Sequence, residues 1–149
     1  MKHKIPVSVL VVVYTPELQV LLLERADKPG FWQSVTGSQE VGETLEATAI
    51  RELQEETGLI ASDYRLEDWH MSNRFEIYRH WRGRYEPGVT HNTEHVFGLR
   101  VPHAVPVTIS PREHLGYEWV DRDHAIDKVF SWTNAAALRV LPDHASAQE

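Results

Sequence analysis

Apolar residues follow two patterns along the chain, and each pattern predicts a different kind of element. Nearly unbroken valine and leucine runs occupy residues 7–14 and 20–24. Such runs are typical of strands that are buried on both faces, and these two strands are expected to pair. Later segments that alternate or are rich in apolar residues predict three more strands, at 74–85, 93–101 and 116–120.

Two segments have an amino-acid composition that predicts a helix. Residues 44–57 form the first predicted helix, which ends at Gly58 because glycine readily adopts the left-handed conformation of a helix stop. Residues 131–141 form the second, with Thr133 as the candidate N-cap.

Strands on both sides of a central helix predict an α+β fold with mixed α/β layers, rather than a helical bundle or an all-β sandwich. We expect a single domain over residues 1–141. From Pro142 onward, residues 142–149 are predicted to form a frayed, flexible tail.

Composition narrows the possible functions. The 149 residues carry a formal net charge of -7, which argues against non-specific binding to nucleic acid or to an anionic membrane. The chain has no cysteine, which excludes disulfides and thiolate chemistry. The N-terminal lysines and apolar run imitate a signal peptide, but a turn and a second strand follow instead of a cleavage site, so a cytoplasmic location is expected.

Three glutamates, Glu52, Glu55 and Glu56, share one face of the first predicted helix, within an arc of about 100°. Like charges at this spacing repel one another. Either the face is solvated and partly relieved by Arg51, or the carboxylates form a cage for a hard divalent cation such as Mg²⁺. The spacing alone leaves both interpretations open.

The longer string around these glutamates resembles the Nudix box of nucleoside diphosphate-linked hydrolases. Its specified positions here are Gly37, Glu43 and the run "RELQEETGL" over 51–59. The resemblance implies an α/β/α sandwich with a mixed curved sheet and a loop–helix–loop that binds Mg²⁺ or Mn²⁺. It implies catalytic and metal-ligating roles for Glu52, Glu55 and Glu56, and a supporting role for Glu43 and Arg51.

A carboxylate from outside the box often completes the site in this family, and the box does not determine which glutamate is the base. Glu113, on a loop that enters a predicted strand, is the favoured outer catalytic and metal-ligating residue. Glu94 is its rival, although its strand position is equally compatible with a solvated side chain.

Segments outside the box narrow the resemblance. The box is entered by Thr36-Gly37-Ser38, where most general nucleotide hydrolases of the family carry proline-glycine-glycine. This entry and several other segments resemble the branch that releases pyrophosphate from a pterin triphosphate in the folate pathway. A broader nucleoside triphosphate hydrolase, a nucleotide sensor and an isomerase of the same fold are the alternatives.

A pterin triphosphate requires aromatic faces, polar groups for the ring and cations for the phosphates. The predicted substrate-binding residues are Lys4, Arg25, Thr36, Gly37, Phe75, Tyr78, Ser131 and Asn134. Besides Phe75 and Tyr78, Trp32 and Trp132 are candidates for the aromatic faces.

Other charged residues suggest no additional chemistry. Arg74, Arg79, Arg82 and Arg84 form a basic stretch with interleaved aromatic residues, and its alternation fits an exposed strand face. The histidines show no helical zinc spacing and are interpreted as surface or core residues. No nucleic acid or membrane partner is expected, and the sequence does not indicate an oligomeric state.

Overall fold

A mixed seven-stranded sheet forms the centre of the computed structural model, which describes residues 3–146. Its strands are β1 (Val7–Tyr14), β2 (Gln19–Arg25), β3 (Trp32–Gln33), β4 (Val35–Ser38), β5 (Arg65–Glu76), β6 (His91–Arg100) and β7 (His114–Asp121). The helices are α1 (Leu45–Thr57), α2 (Arg122–Lys128) and α3 (Trp132–Ser146), with short 3₁₀ helices at Ala61–Asp63 and Arg79–Arg84.

The central strand β1 organises the sheet. It pairs in parallel with β6 along its whole length, from Val7 opposite Thr93 to Tyr14 opposite Arg100. Its other edge is shared: β2 meets it at the pair of Tyr14 and Val20, whereas β4 pairs antiparallel with its first half. The predicted pairing of the first two strands is therefore confined to their hairpin end, and β2 instead pairs along its length with β7.

Helices cover both faces of the sheet, as the α/β/α expectation requires. On one face, Val9, Val11 and Val13 pack in a buried cluster with Leu53 of α1. On the other, Leu10 and Val12 pack with residues of α2 and α3. Because successive strand residues point to opposite faces, the unbroken valine run of β1 serves both layers.

The predicted strand 74–85 is largely wrong. Strand β5 ends at Glu76, and the chain then turns into the 3₁₀ helix Arg79–Arg84. There Tyr78 packs against Trp81 and Phe130, with ring centroids 5.4 and 6.2 Å away. An alternating pattern cannot reveal an aromatic contact with a residue about 50 positions away, and it also missed the first nine residues of β5.

Helix α3 begins and continues differently from the prediction. Its cap is Ser131, whose Oγ accepts the Asn134 N–H at 3.0 Å, whereas Thr133 already lies inside the helix. The helix runs on through Pro142 to Ser146, so the predicted tail is wrong for residues 142–146. Proline cannot donate to the carbonyl four residues earlier, and Arg122 Nη1 donates to that carbonyl, of Leu138, at 3.2 Å.

Residues 147–149 of the predicted tail lie outside the described residues. Within residues 3–146, no helix is long and apolar enough to cross a membrane.

Candidate active site

Helix α1 carries the three glutamates and is defined at both ends by its sequence. Thr44 caps its start, since the Thr44 Oγ1 accepts the Ala47 N–H at 3.0 Å. Gly58 ends it with φ at 75°, which confirms the predicted stop. Buried Ala49 and Leu53 face the core, and this fixes the orientation of the glutamate face.

Glu43 and Arg51 tie the preceding loop to the helix. The Arg51 guanidinium donates from Nε and Nη2 to the two Glu43 oxygens, at 2.7 and 3.0 Å, and Nη2 also donates to the Ser38 carbonyl at 3.0 Å. Hydrogen bonds from Arg51 hold the pKa of Glu43 low, at about 2. The pair therefore holds the loop beside the glutamates.

Burial separates the three glutamates. Glu52 and Glu56 are 9% and 2% exposed, whereas the Glu55 side chain remains half exposed. A solvated acidic face therefore does not describe Glu52 or Glu56. Gly37 of β4 makes room for one of them, since a Cβ at position 37 would collide with the Glu52 carboxyl group.

Glu56 lies where a second negative charge is unfavourable. Burial, and then the nearby Glu52, raise the pKa of Glu56 well above its ordinary value, while the Thr36 backbone N–H opposes the shift. Glu56 Oε1 is 3.7 Å from Nε2 of His114. Desolvation lowers the pKa of that buried histidine to about 4, so the imidazole is neutral near pH 7.

Glu113 lies beside this group and Glu94 does not. Glu113 lines the same cavity as Glu52, Glu55 and Glu56, and partial desolvation followed by the Glu52 charge raises its pKa. Glu94 is 5% exposed and lines a second cavity. The solvated interpretation of Glu94 is therefore wrong, and its position does not support an outer metal-ligating role.

The carboxylates suit a hard divalent cation in chemistry and charge. All their donors are oxygens, as Mg²⁺ prefers, and Glu56 Oε1 is buried without a hydrogen-bond partner among residues 3–146. Within those residues, no three acidic or histidine side chains already converge on a metal position. Glu52 Oε1 accepts from Arg51 Nη1 at 2.6 Å, and the Glu52 carboxyl group is also within hydrogen-bond contact of the Glu56 carboxyl.

Two adjoining cavities meet at this site. The carboxylate cavity, of about 550 Å³, is lined by Glu52, Glu55, Glu56 and Glu113. The aromatic cavity, of about 600 Å³, is lined by Phe75, Tyr78, Trp81, Phe130 and Trp132. Their common wall contains Lys4, Arg25, Thr36, Gly37, Ser38 and Arg84.

The common wall concentrates positive charge in an acidic protein. Desolvation, and then the Arg84 charge, lower the pKa of Lys4. Arg25 and Arg84 share Asp27, whose Oδ2 lies 2.7 Å from Nη2 of Arg25 and 3.0 Å from Nη2 of Arg84. Both guanidinium groups lie over the Trp81 ring. The predicted proximity of Lys4 and Arg25 is consistent with this arrangement.

Several side chains that were predicted to bind substrate form hydrogen bonds within the protein. The Thr36 hydroxyl donates to the Val9 carbonyl, and Ser131 caps α3. Asn134 Oδ1 accepts the Ser34 N–H at 2.8 Å, and Asn134 Nδ2 donates to the Ser34 hydroxyl at 3.0 Å. Trp32 lies under Lys128, outside both cavities, whereas Trp132, Phe75 and Tyr78 line the aromatic one.

Sequence reasoning missed other residues of the two cavities. Arg84 is not on an exposed strand face but reaches the common wall, and the 3₁₀ turn that places it also places Trp81. His114 is a core histidine, as one interpretation had it, but its proximity to Glu56 was not foreseen. Asn92 was not considered, and Glu94 was considered only as a metal ligand or a solvated side chain. Both are buried and line the aromatic cavity, and their spacing of two residues on β6 was the sequence signal that could have linked them.

Comparison with known proteins gives consistent results. The sequence model of the NUDIX domain family matches residues 4–141. The chain is 45% identical over 139 residues to the dihydroneopterin triphosphate diphosphatase of Escherichia coli K12, covering 91% of each chain. It is 44% identical over 142 residues to the Haemophilus influenzae protein of that name, covering 93% of this chain and 89% of the relative.

A solved structure agrees with these sequence relatives. The E. coli dihydroneopterin triphosphate pyrophosphohydrolase superimposes with a TM-score of 0.87 at 45% identity, covering 93% of this chain and 95% of the other.

Proposed function

The chain belongs to the NUDIX domain family, and from this premise we propose that it is a pyrophosphohydrolase that converts 7,8-dihydroneopterin 3′-triphosphate to dihydroneopterin monophosphate and pyrophosphate. The observation that carries the proposal is the pair of adjoining cavities. One is lined by carboxylates and the other by aromatic rings, with cations on their common wall. A substrate made of a flat ring and a triphosphate chain matches this arrangement, because its ring suits the aromatic cavity and its phosphates suit the cations and the carboxylate cavity.

Glu52, Glu55, Glu56 and Glu113 are the residues that would hold divalent cations, Mg²⁺ or Mn²⁺. Such cations, when bound, offset the charge of the phosphates and acidify a coordinated water. Glu56 and Glu113 are candidate proton acceptors, because each lines the carboxylate cavity and has a raised pKa. A raised pKa suits a base that must accept a proton near neutral pH.

Lys4, Arg25 and Arg84 are proposed to hold the phosphates. Their positive charges stabilise pyrophosphate as it leaves, and the aromatic cavity fixes the other end of the substrate. Arg25 also donates to Gln33 at 3.0 Å, and with Asp27 this holds its side chain in place. Substrate held at both ends leaves one phosphate bridge beside the carboxylates.

The remaining expectations stay predictions: a single domain over 1–141, a cytoplasmic location and no nucleic acid partner. A broader nucleoside triphosphate hydrolase is the second candidate function. It is compatible with the aromatic cavity, whose volume of about 600 Å³ suits a purine as well as a pterin.

A substrate panel tests the proposal. Pyrophosphate release is measured with Mg²⁺ from dihydroneopterin triphosphate, dGTP, 8-oxo-dGTP and dATP. The pterin is expected to give the highest kcat/KM. Similar values for all four compounds would support the broader hydrolase, and orthophosphate as the primary product would reject the proposed reaction.

Hydrolysis in oxygen-18 water locates the broken bond. We expect the label in dihydroneopterin monophosphate, because pyrophosphate leaves as one unit held by cations. Label in pyrophosphate would place the attack on the adjacent phosphorus.

A further inference from the structure

Strand β6 presents two buried polar side chains to the aromatic cavity. Asn92 and Glu94 are 3% and 5% exposed, and they share one face because they lie two residues apart on a strand. Asn92 Nδ2 donates to the Ser8 hydroxyl at 2.7 Å, which leaves the amide oxygen available. Asn92 Oδ1 and Glu94 Oε1 are both buried without a hydrogen-bond partner among residues 3–146.

Two unpartnered buried acceptors on one cavity wall are unfavourable for folding alone. A buried polar group without a hydrogen bond destabilises the fold, and an ionised one does so more strongly. Burial raises the pKa of Glu94 to about 7, opposed by a hydrogen bond from Thr133. A ligand that brings two N–H donors relieves both acceptors at once.

The position of these acceptors limits the ligand that reaches them. The same cavity is lined by the rings of Phe75, Tyr78 and Trp132, which suit a flat heterocycle. Its other end opens on Lys4, Arg25 and Arg84. A heterocycle whose phosphates lie on those cations therefore directs its ring towards β6.

We infer that Glu94, assisted by Asn92, selects heterocycles in which an amino group lies next to a ring N–H, the 2-amino-4-oxopyrimidine edge that pterin and guanine share. The identification of the ring rests on the proposed function. The carboxylate accepts from the ring N–H and the amino group, and Asn92 Oδ1 accepts from the second amino hydrogen. Adenine presents a bare ring nitrogen next to its amino group, which an ionised carboxylate repels.

Equilibrium binding tests this without depending on catalysis. Dissociation constants for GMP, IMP and AMP are measured by calorimetry, since IMP differs from GMP only by lacking the 2-amino group. A hydrogen bond to a charged group contributes about 1.5–3 kcal/mol, so the protein is expected to bind GMP about 10- to 100-fold more tightly than IMP. Glu94→Gln, of nearly the same shape, should reduce that ratio to about threefold or less.

Glu17→Gln is the matched control. It removes the same charge from an exposed turn and should retain the full GMP preference. Equal GMP and IMP binding by the unaltered protein, or an unchanged ratio in a folded Glu94→Gln variant, would overturn the inference.

Kinetics separate this inference from the proposed function. With dihydroneopterin triphosphate, Glu94→Gln should raise KM at least about tenfold and leave kcat within about threefold, because the carboxylate contacts the ring and not the reacting phosphates. Unchanged KM with normal pyrophosphate release would overturn the role of Glu94 and leave the function standing. If the unaltered protein hydrolysed no triphosphate, the proposed function would fail and the binding ratios would still decide the role of Glu94.

Discussion

Glu52 and Glu56 differ from the other glutamates of α1 in being buried with their carboxylates in one cavity. We expect Glu52→Gln and Glu56→Gln each to lower kcat at least about a hundredfold, because each removes negative charge where cations are proposed to bind. Circular dichroism should show an intact fold, since neither change removes apolar packing.

Glu46→Gln is the control for this pair, as it alters an exposed glutamate in the first turn of the same helix. Its kcat should match that of the unaltered protein. Near-normal turnover in both Glu52→Gln and Glu56→Gln would contradict the assignment of the carboxylate cavity.

At the residue scale, the sequence predicted the glutamates whose spacing is local, and the family resemblance added Glu113, but the buried environment of Glu94 was not predicted. Glu52, Glu55 and Glu56 share a helix face that follows from their numbering alone. The environment of Glu94 depends on Thr133 of α3, 39 positions away, which strand periodicity cannot report. The same limit hid the contact of His114 with Glu56.

The close approach of β4 to α1 is the contact between elements that positions Glu52. Gly37→Ala would place a methyl group against the Glu52 carboxyl, so the side chain or the helix must shift. A displacement of about 1 Å at a reacting group can cost about a hundredfold in rate. We therefore expect a fall in kcat of this order, measured by pyrophosphate release.

Gly116→Ala provides the comparison, because it adds the same methyl group to a strand glycine with open space around its Cβ position. It should leave kcat unchanged. Equal kcat for the two variants would show that the β4–α1 contact does not govern the position of Glu52.

At the element scale, predictions succeeded where one local pattern dominates. Helix α1 has a cap, a buried stripe and a glycine stop within its own sequence, and its predicted extent is confirmed. Helix α3 extends past Pro142, and Arg122, from α2, donates to the carbonyl that the proline leaves free. That compensation comes from another element and leaves no mark in the sequence of α3.

Glu94 links the stability of the whole molecule to pH. Its ordinary pKa of 4.5 is raised to about 7 in the fold by desolvation, and the opposing contact is the hydrogen bond from Thr133. The folded state therefore retains a proton that the unfolded state loses between about pH 4.5 and 7, and this contribution to stability declines as the pH rises through that range. Each pKa unit corresponds to about 1.4 kcal/mol, so the loss over the 2.5 units between these pKa values is at most about 3.5 kcal/mol.

Urea unfolding of the unaltered protein and of Glu94→Gln measures this linkage. The free energy of unfolding of the unaltered protein should fall relative to that of the variant as the pH rises from about 4.5 to 7. Above pH 7 the difference between the two should be constant. Parallel curves across the whole range would show that Glu94 titrates normally in the fold.

At the scale of the molecule, the net charge did not reveal the local cluster of positive charge in the cleft. The net charge of -7 is compatible with a cleft wall where Lys4, Arg25 and Arg84 gather. Residues from the N-terminal segment, β2 and a 3₁₀ turn meet there, and only the fold brings them together. Fold class, the α1 site and several residues of the aromatic cavity were predictable, whereas the places of Trp81 and Phe130 in that cavity were not, because the cavity is assembled from distant segments.

The parallel pairing of β1 with β6 has a consequence for the order in which the protein assembles. Val7 faces Thr93, so a long loop must close before this ladder forms, whereas β1, β4 and α1 lie within one continuous stretch of 51 residues and can associate early. During synthesis, the strand that carries Asn92 and Glu94 leaves the ribosome well after the helix that carries Glu52 and Glu56. The glutamates of α1 can therefore be positioned against β4 before β6 adds Asn92 and Glu94, and Glu113, which follows β6 in the chain, completes the carboxylate cavity last.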